Sequence, residues 1–469
     1  MNTQELNERK TKKFNFHLYF SSLTGDLLYL TIGCFHIWSS SGLPQLMSPD
    51  TTINPLSAPI TTLQVSVITS LNHLCMPIGI IVMTRLAYVL GRKKSMLLVA
   101  VTYTISLTAT AFANHMTIYY ICISVCGICD GASLCIVPIY NSEISENHNR
   151  GLVGCIMGFS MQTGLFLAYF YGYFFQLKTY FLLCALPCIL HVCIQIFIQD
   201  SPVSLAIQEK KLKALNVLEK LRPTKTTTDL EIEYTIIDAA IKEHNTKSLK
   251  DIFLTTAPRR GFFIALVVCT TQHCSGIFII LSFMASIFNQ AGSGLSGNTV
   301  GAIVGVFQMA TDCVAVYLIE KCGRRILILT SSFSCVFPMF LLGFYFYLKH
   351  INANIITIIG WFPVACVIVF IICYGIGLGS APIAIIGELF PSDLRAKGVG
   401  LTLVLNSLAI SFMIFCYPLA TKTFGIHICM WLFSFLCLLG CITLYFILPE
   451  TKGKSFCEIQ NMLDIDNLK

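Results

Sequence analysis

Apolar runs of about 20 residues, each long enough to cross roughly 30 Å of hydrocarbon, recur twelve times along this chain. They lie at 25–46, 64–86, 95–113, 116–139, 152–172, 178–198, 261–287, 299–319, 326–347, 354–379, 397–418 and 426–448. In lipid every backbone N–H and C=O must find its partner inside the segment, so such runs can only be helices. The expected fold class is therefore an all-α membrane protein with twelve transmembrane helices. Composition agrees, with 55% hydrophobic and 12% charged residues and a mean hydropathy of +0.73, which no ordinary soluble domain matches. None of the runs reads as a cleavable signal peptide, because the first begins late and is too long.

The charged punctuation between the runs occurs twice. Gly91-Arg92-Lys93-Lys94 is followed by Glu143 and, seven residues later, Arg150; Gly323-Arg324-Arg325 is followed by Glu388 and, at the same spacing, Arg395. This is a duplication, and it predicts two six-helix pseudo-symmetric halves. Parallel repeats of that kind enclose a site at mid-bilayer and rock around it. The chain divides accordingly into a tail (1–24), a six-helix bundle (25–199), a polar loop (200–258), a second bundle (259–448) and a second tail (449–469).

Orientation follows from Lys and Arg, which stay on the cytoplasmic side of short loops. Of the 31 such residues, all but Lys178, Lys349 and Lys422 fall on the side of the tails and the polar loop, among them Arg9, Lys10, Lys12, Lys13, Arg85, Arg92, Arg150, Arg324, Arg395 and Lys452. Both tails are thus expected in the cytosol. The net charge of +7 reads as topology and not as a nucleic-acid patch. The partners expected are the bilayer and a small solute, with a monomer as the unit. Within the polar loop, Ser204 to Leu221 and Asp229 to His244, followed by Leu249-Lys250-Asp251, carry apolar stripes at helical spacing and read as amphipathic helices on the cytoplasmic face. Pro223 separates them. The 22 cysteines mostly sit singly in apolar runs, where Cys behaves as a small hydrophobe, and neither a metal nor a cofactor is expected. With no nucleophile–base pair, phosphate loop or metal cluster, the pattern predicts no enzyme.

Several motifs occur in a familiar order. They are Pro138-Ile139-Tyr140-Asn141-Ser142-Glu143-Ile144 with Arg150-Gly151, Gln272 with Ser275-Gly276, Glu320 before Gly323-Arg324-Arg325, Glu388-Leu389-Phe390 with Arg395, and Pro449-Glu450-Thr451-Lys452-Gly453. On these the chain resembles the sugar porters of the major facilitator superfamily over nearly its whole length. Gly33 to Pro44 and Thr421-Lys422-Thr423-Phe424 further resemble the facilitated trehalose transporters of arthropods. The resemblance implies facilitative transport of a sugar, trehalose or a hexose, by alternating access in the plasma membrane. It also implies a substrate site. Gln272 and Asn406 keep family amides, His273 stands where a second Gln is usual, and Phe278 stands where an Asn is usual. The family glutamine of span five falls at Gly158, with Gln162 one helical turn further on. Gly379-Ser380-Ala381-Pro382-Ile383 replaces a segment that carries an aromatic platform in the family. The candidate substrate contacts are therefore Gln272, His273, Asn406, Gln162 and Phe278, amides, imidazole and ring of the kind a hydroxyl-rich solute needs.

The charged residues form a second candidate site. Arg92, Glu143 and Arg150 should meet at one cytoplasmic edge, as should Arg324, Glu388 and Arg395, with Asp200 and Glu450 as acidic neighbours. Such contacts suit a gate that switches between two arrangements; the alternative is that they only anchor helix ends in the headgroup zone. The acid expected before the first Gly-Arg pair is Tyr88, and Val203 replaces an Arg after Ser201-Pro202, so the first half's gate is expected to be the weaker and the resting state inward-open. Ionisable groups at membrane depth are costly. Asp130 and Asp312 lie mid-span, with His36, His73 and His191 at similar depth, and Asp26 is placed at the edge of span one. Two readings stay open for Asp130 and Asp312, a proton or cation site that makes the protein a symporter, or carboxyls bonded to a neighbouring helix. A receptor that keeps the fold without transporting is a further alternative.

Overall fold

The computed structural model describes residues 15–465 apart from 57, 147, 244–248, 293, 392 and 455. Arg9, Lys10, Lys12, Lys13 and His244 fall outside the described residues, as does the Glu320 side chain. Among the described residues, twelve helices are long and apolar enough to cross a membrane: Phe16–Leu46, Thr62–Val89, Arg92–Ala111, Met116–Ile144, Arg150–Phe174, Leu177–Phe197, Thr256–Ala291, Gly297–Ile319, Arg324–His350, Phe362–Glu388, Lys397–Phe424 and Ile426–Ile447. Each overlaps one of the apolar runs. The first starts earlier than position 25, because Asn15 caps it by accepting from the Leu18 N–H. The tenth starts later than position 354, because Asn354–Thr357 closes a separate 3₁₀ turn and Pro363 sits in the first turn of the span proper.

Helix ends repeat between the halves. Gly91 precedes span three at φ 86 and ψ 159, and Gly323 precedes span nine at φ 92 and ψ 160. A side chain strains that conformation and glycine does not, so the duplicated Gly-Arg pair is a duplicated turn. Elsewhere side chains meet the orphan N–H groups: Thr61 and Gln64 form a capping box on span two, and Ser296 caps span eight through the Thr299 N–H.

Within the first half, close backbone approach sets the packing. A Cβ on Gly33 would lie 2.1 Å from the Met161 carbonyl oxygen, and one on Gly164 would lie 2.2 Å from that of Leu30. Spans one and five therefore cross with only hydrogen between them, as small residues allow in lipid.

The halves meet along spans two and eleven, five and eight, and the parts Trp38–Leu46 of span one and Ile277–Ala291 of span seven. The polar contacts joining them lie away from the face that carries segment 200–258. Ser39 Oγ donates to the Ser282 carbonyl at 2.9 Å, the Ala285 N–H to Ser40 Oγ at 3.3 Å, Asn298 Nδ2 to the Gly172 carbonyl at 2.7 Å, and Ser411 Oγ to the Ser70 carbonyl at 3.0 Å. Tyr169 of span five packs directly on Gly301 of span eight.

The polar loop is helical and docked. Its helices are Pro202–Ile207, Lys211–Leu221, Thr227–Glu243 and Asp251–Leu254. The first stripe is broken at Glu209, which takes a φ of 58. Ala214, Leu218 and Leu221 bury the apolar face of the second helix. Arg222 is the main fastener: its guanidinium, 3% exposed, donates to the Ile144 carbonyl at 2.8 Å and the Ser145 carbonyl at 3.2 Å, closing the end of span four. The segment after position 449, read from sequence as a tail, also folds. Its helix Phe456–Ile465 buries Ile459 and Leu463, and holds on through Arg260 Nη1 to the Leu463 carbonyl and Gln460 Nε2 to the Leu389 carbonyl.

Two expectations follow from this packing. Gly33→Leu or Gly164→Leu forces two helix backbones apart, a loss of about 3 kcal/mol or more, and should lower the thermal midpoint of detergent-solubilised protein by several degrees or abolish its monodisperse peak. Gly158→Ala, where a Cβ meets nothing within 4 Å, should leave that midpoint unchanged. Arg222→Ala leaves two helix-end carbonyls without their donor, and limited proteolysis should then cut within the loop at least several-fold faster than in the wild type.

Candidate functional site

The irregular backbone of the bundle is concentrated at mid-span. Span one breaks at Ile37, between helices Phe16–His36 and Trp38–Leu46. Span seven breaks at Ser275-Gly276, between Thr256–Cys274 and Ile277–Ala291. Span ten carries a π turn at Gly375–Gly379. Non-helical backbone at this depth survives only where protein covers it or a cavity receives it.

All five candidate substrate contacts lie at this level, in two groups. Gln272 Nε2 donates to the Tyr374 hydroxyl at 3.0 Å and to the Leu378 carbonyl at 2.8 Å, which pins span seven to the π turn of span ten. Next to it, His273 Nε2 is hydrogen-bonded to Asn406 Oδ1 of span eleven. Phe278, two residues past the break, lies 5.0 Å ring to ring from His273. Gln162 belongs to the other group. It faces Asp312 of span eight across the junction of the halves, and Asp312 Oδ1 lies 3.7 Å from the place of a Cβ on Gly375. Tyr374 connects the groups, since it neighbours Asp312 and accepts from Gln272. Sequence reasoning missed Tyr374, which stands in an apolar run with nothing to mark it. His36 and His73 stand out in the sequence only for their depth; the structure brings both onto Phe278, at 5.7 Å and 6.0 Å.

The buried carboxyls have different settings. Asp130, fully buried inside the first half, accepts from the Tyr103 hydroxyl at 2.5 Å and faces Asn72, so it ties spans two, three and four together. Asp312 lies between the halves. Asp26 is not at the edge of its span but well within it, 1% exposed, accepting from Asn141 Nδ2 at 2.7 Å and Ser22 Oγ at 3.3 Å. The polar residues Ser21, Ser22 and Thr24 dilute the apolar run there, while the helix itself starts at Phe16. His191 Nδ1 is bonded to the Thr24 carbonyl at 2.7 Å.

At the face bearing the polar loop, each half holds an arginine–carboxylate pair among the described residues. Arg92 meets Glu143 through Nη2 at 2.8 Å and Nε at 3.2 Å, and its Nη1 donates to the Ala87 carbonyl at 2.9 Å. Ser201 Oγ donates to the other oxygen of Glu143. Arg324 Nη2 meets Glu388 at 3.1 Å, with Arg395 close to the same carboxylate. Neither pair crosses between the halves. Glu450 plays a part the sequence did not suggest: it accepts from the N–H groups of Arg324, Arg325 and Lys452 at 3.2, 3.2 and 2.9 Å, and so caps span nine. Arg150 is exposed and makes no ion pair among the described residues; Asp200 makes none either, its neighbour Ser201 being the residue that reaches Glu143.

Arg150 instead lines a cavity of about 600 Å³ together with Glu143, Glu146, Arg222 and Glu233. Here Glu146 and Glu233 share Arg222, at 3.4 and 3.3 Å, and Lys225, at 3.2 and 2.9 Å. Partial burial disfavours the Lys225 ammonium, but Glu233 and Glu146 outweigh it and raise the pKa above the ordinary lysine value. No sequence signal marked this network, because its members are some 80 positions apart and belong to no repeat. The cysteines described are all free thiols, Cys126 and Cys129 on adjacent turns of span four included.

Comparison with known proteins gives the arrangement a lineage. The family model described as sugar (and other) transporter matches residues 10–463. The facilitated trehalose transporter Tret1 of Bombyx mori is 28% identical over 443 residues, covering 92% of this chain and 85% of that protein. That of Polypedilum vanderplanki is 27% identical over 383 residues, covering 80% and 74%. Among solved structures, the inward open conformation of the xylose transporter XylE from E. coli superposes with a TM-score of 0.78 at 18% identity, over 95% of this chain and 99% of that one. The major facilitator superfamily proton:xylose symporter XylE bound to 6-bromo-6-deoxy-D-glucose gives 0.76 at 19% identity, over 96% and 100%. At such identities the structural likeness establishes the fold alone. Twelve spans in two repeated halves and a family match over nearly the whole chain lead to one conclusion: this protein is a multi-pass membrane transporter of the major facilitator fold and belongs to the sugar (and other) transporter family.

Proposed function

We propose that the protein is a facilitative uniporter for a sugar, trehalose or a hexose, working as a monomer in the plasma membrane with segment 200–258 and both tails in the cytosol. The observation that carries this is the polar belt at mid-bilayer. Gln162 comes from one half, Gln272, His273 and Asn406 come from the other, and all stand beside broken helices where two rigid bodies meet. Amides and imidazoles on both sides of a closing groove suit a neutral, hydroxyl-rich solute. The Bombyx and Polypedilum relatives, named as facilitated trehalose transporters, support the same class. The distribution of Lys and Arg supports the orientation. Contacts between the halves gathered on the side away from the polar loop then correspond to an inward-facing arrangement.

Uniport is favoured because two of the three mid-span aspartates have structural partners within one half: Asp130 holds Tyr103, and Asp26 holds Asn141. A group locked into one rigid body has little to gain from a movement between bodies. Asp312 alone supports the second reading, proton-coupled symport, because it faces Gln162 across the junction. The two arginine–carboxylate pairs serve, in this proposal, to hold each half rigid at its cytosolic end while the groove opens and closes.

Purified protein in liposomes should show saturable counterflow of trehalose or glucose, with no uphill accumulation under an inward pH gradient. Accumulation that vanishes in Asp312→Asn would replace uniport with symport, and the absence of exchange with every carbohydrate would remove the sugar assignment. Arg92→Ala combined with Arg324→Ala leaves two carboxylates without their cations, at about 3 kcal/mol for the more deeply buried Arg92–Glu143 pair and less for the half-buried Arg324–Glu388 pair. Flux in that variant should fall at least tenfold with the half-saturation concentration little changed, as stopped counterflow measurements would show.

A further inference from the structure

Three histidines from three different spans meet on one phenyl ring. His36 ends the inner part of span one, His73 lies mid-way along span two, and His273 precedes the break of span seven. His36 and His73 stand 5.0 Å apart ring to ring, at 76° to one another. Phe278 lies within 5.0 to 6.0 Å of all three. His73 and His273 are each 3% exposed. The Nδ1 atoms of His36, His73 and His273 are all buried without a hydrogen-bond partner among the described residues, and only His273 has its second nitrogen engaged, by Asn406.

A buried polar atom without a partner is uncommon in a folded protein and calls for an explanation. Three of them around one ring, two from the first half and one from the second, stand beside the breaks of spans one and seven and adjoin His273 and Asn406. The geometry points to His36 and His73 as contacts of the transported solute, which take over the hydrogen-bonding task of the amides that Gly158 and Phe278 no longer supply. This inference rests on the carbohydrate reading above and adds to it the part of the site built by the first half. An uncharged imidazole presents one donor and one acceptor, and a sugar hydroxyl can answer either. Phe278 offers the flat apolar face against which the C–H side of a pyranose packs. An anionic solute is not accommodated. No Lys or Arg occurs between positions 24 and 84 or between 261 and 320 in the spans that build this cluster, and the ionisable groups around it are Asp130, reached through Asn72 beside His73, and Asp312, reached through Tyr374 and Gln272.

The test uses the full chain in liposomes, with trehalose and glucose as counterflow probes. His36→Leu and His73→Leu should each raise the half-saturation concentration roughly five- to tenfold, the effect of about one lost hydrogen bond, with the maximal rate within about twofold of wild type. His73→Gln, which restores a donor and an acceptor, should recover most of the affinity. It should also change which single-hydroxyl deoxyglucose competes worst, a readout that packing alone does not move. If the leucine variants do not fold, the glutamine variant and the deoxyglucose series decide by themselves. Wild-type exchange with unchanged half-saturation in the leucine variants, a loss in maximal rate only, or an unaltered deoxyglucose ranking in His73→Gln overturns this inference and leaves the sugar reading standing. Wild-type protein that exchanges amines and no carbohydrate overturns both.

Discussion

Hydrocarbon offers no partner for a backbone amide, and that constraint organises the whole molecule. It forces the apolar runs into uninterrupted helices wherever lipid reaches them, and so confines every irregular piece of membrane-depth backbone to the interior. The break at Ile37, the break at Ser275-Gly276 and the π turn at Gly375–Gly379 sit together, and the further kink at Phe283 of span seven is buried as well. Each is covered by side chains from neighbouring spans, and Gln272 answers the irregular carbonyl at Leu378 directly. The same covering side chains are polar, so the place where helices can break becomes the place where a polar solute can be held. Fold and site thus share one cause.

The charged face follows a different logic. Arg92–Glu143 and Arg324–Glu388 repeat in sequence, in geometry and in the glycine turn that precedes each arginine. Because each pair stays within its own half, the pairs oppose deformation of a half and do not oppose separation of the halves. The first is further braced by Ser201 from the polar loop, and the second by the C-terminal segment through the Glu450 cap. Each repeat therefore uses the chain that follows it as a clamp, and the two clamps are built from unrelated sequences. Apart from Asp312 facing Gln162 at mid-span, the contacts that join the halves are hydroxyl, amide and backbone N–H groups on carbonyl or hydroxyl oxygens, and glycine against aromatic ring. These are short-range and carry no charge, so they can be broken and reformed without exposing an ion to lipid.

Span number, the two-half organisation and the position of the arginine–glutamate pairs were legible in the sequence, because hydropathy period and charge spacing are local properties. What was not legible depends on tertiary meeting points. Asp26 was misplaced because Ser21, Ser22 and Thr24 interrupt the apolar count in a helix that nonetheless runs from Phe16. Arg150 was expected in the gate from its spacing to Glu143, but helix phase leaves it facing solvent, and Arg222, far off in sequence, takes the buried position instead. Gln272, His273 and Asn406 stood out in the sequence because they fall at family positions, and the structure places them beside the irregular backbone of spans seven and ten. Their neighbours Tyr374, His36 and His73 lie on other spans, and no periodicity within one span reports which residues of another will face it.

A site made by one half alone would bind solute equally well whichever way the groove faced, and binding would do nothing to the equilibrium between faces. Here the polar belt is divided, with Gln162, His36 and His73 on one rigid body and Gln272, His273, Asn406 and Asp312 on the other. A solute that touches both sides is bound most strongly when the halves are close around it, and more weakly when either mouth is open. Its binding energy therefore favours the closed intermediate through which both faces are reached. A neutral solute suits such a scheme because the closed form buries it without the desolvation cost of an ion. In the proposed site the pairing need not be one amide against another: as long as some hydrogen-bonding group of the first half faces Gln272 and Asn406 across the groove, binding and closure stay coupled, and only the identity of the preferred hydroxyl changes.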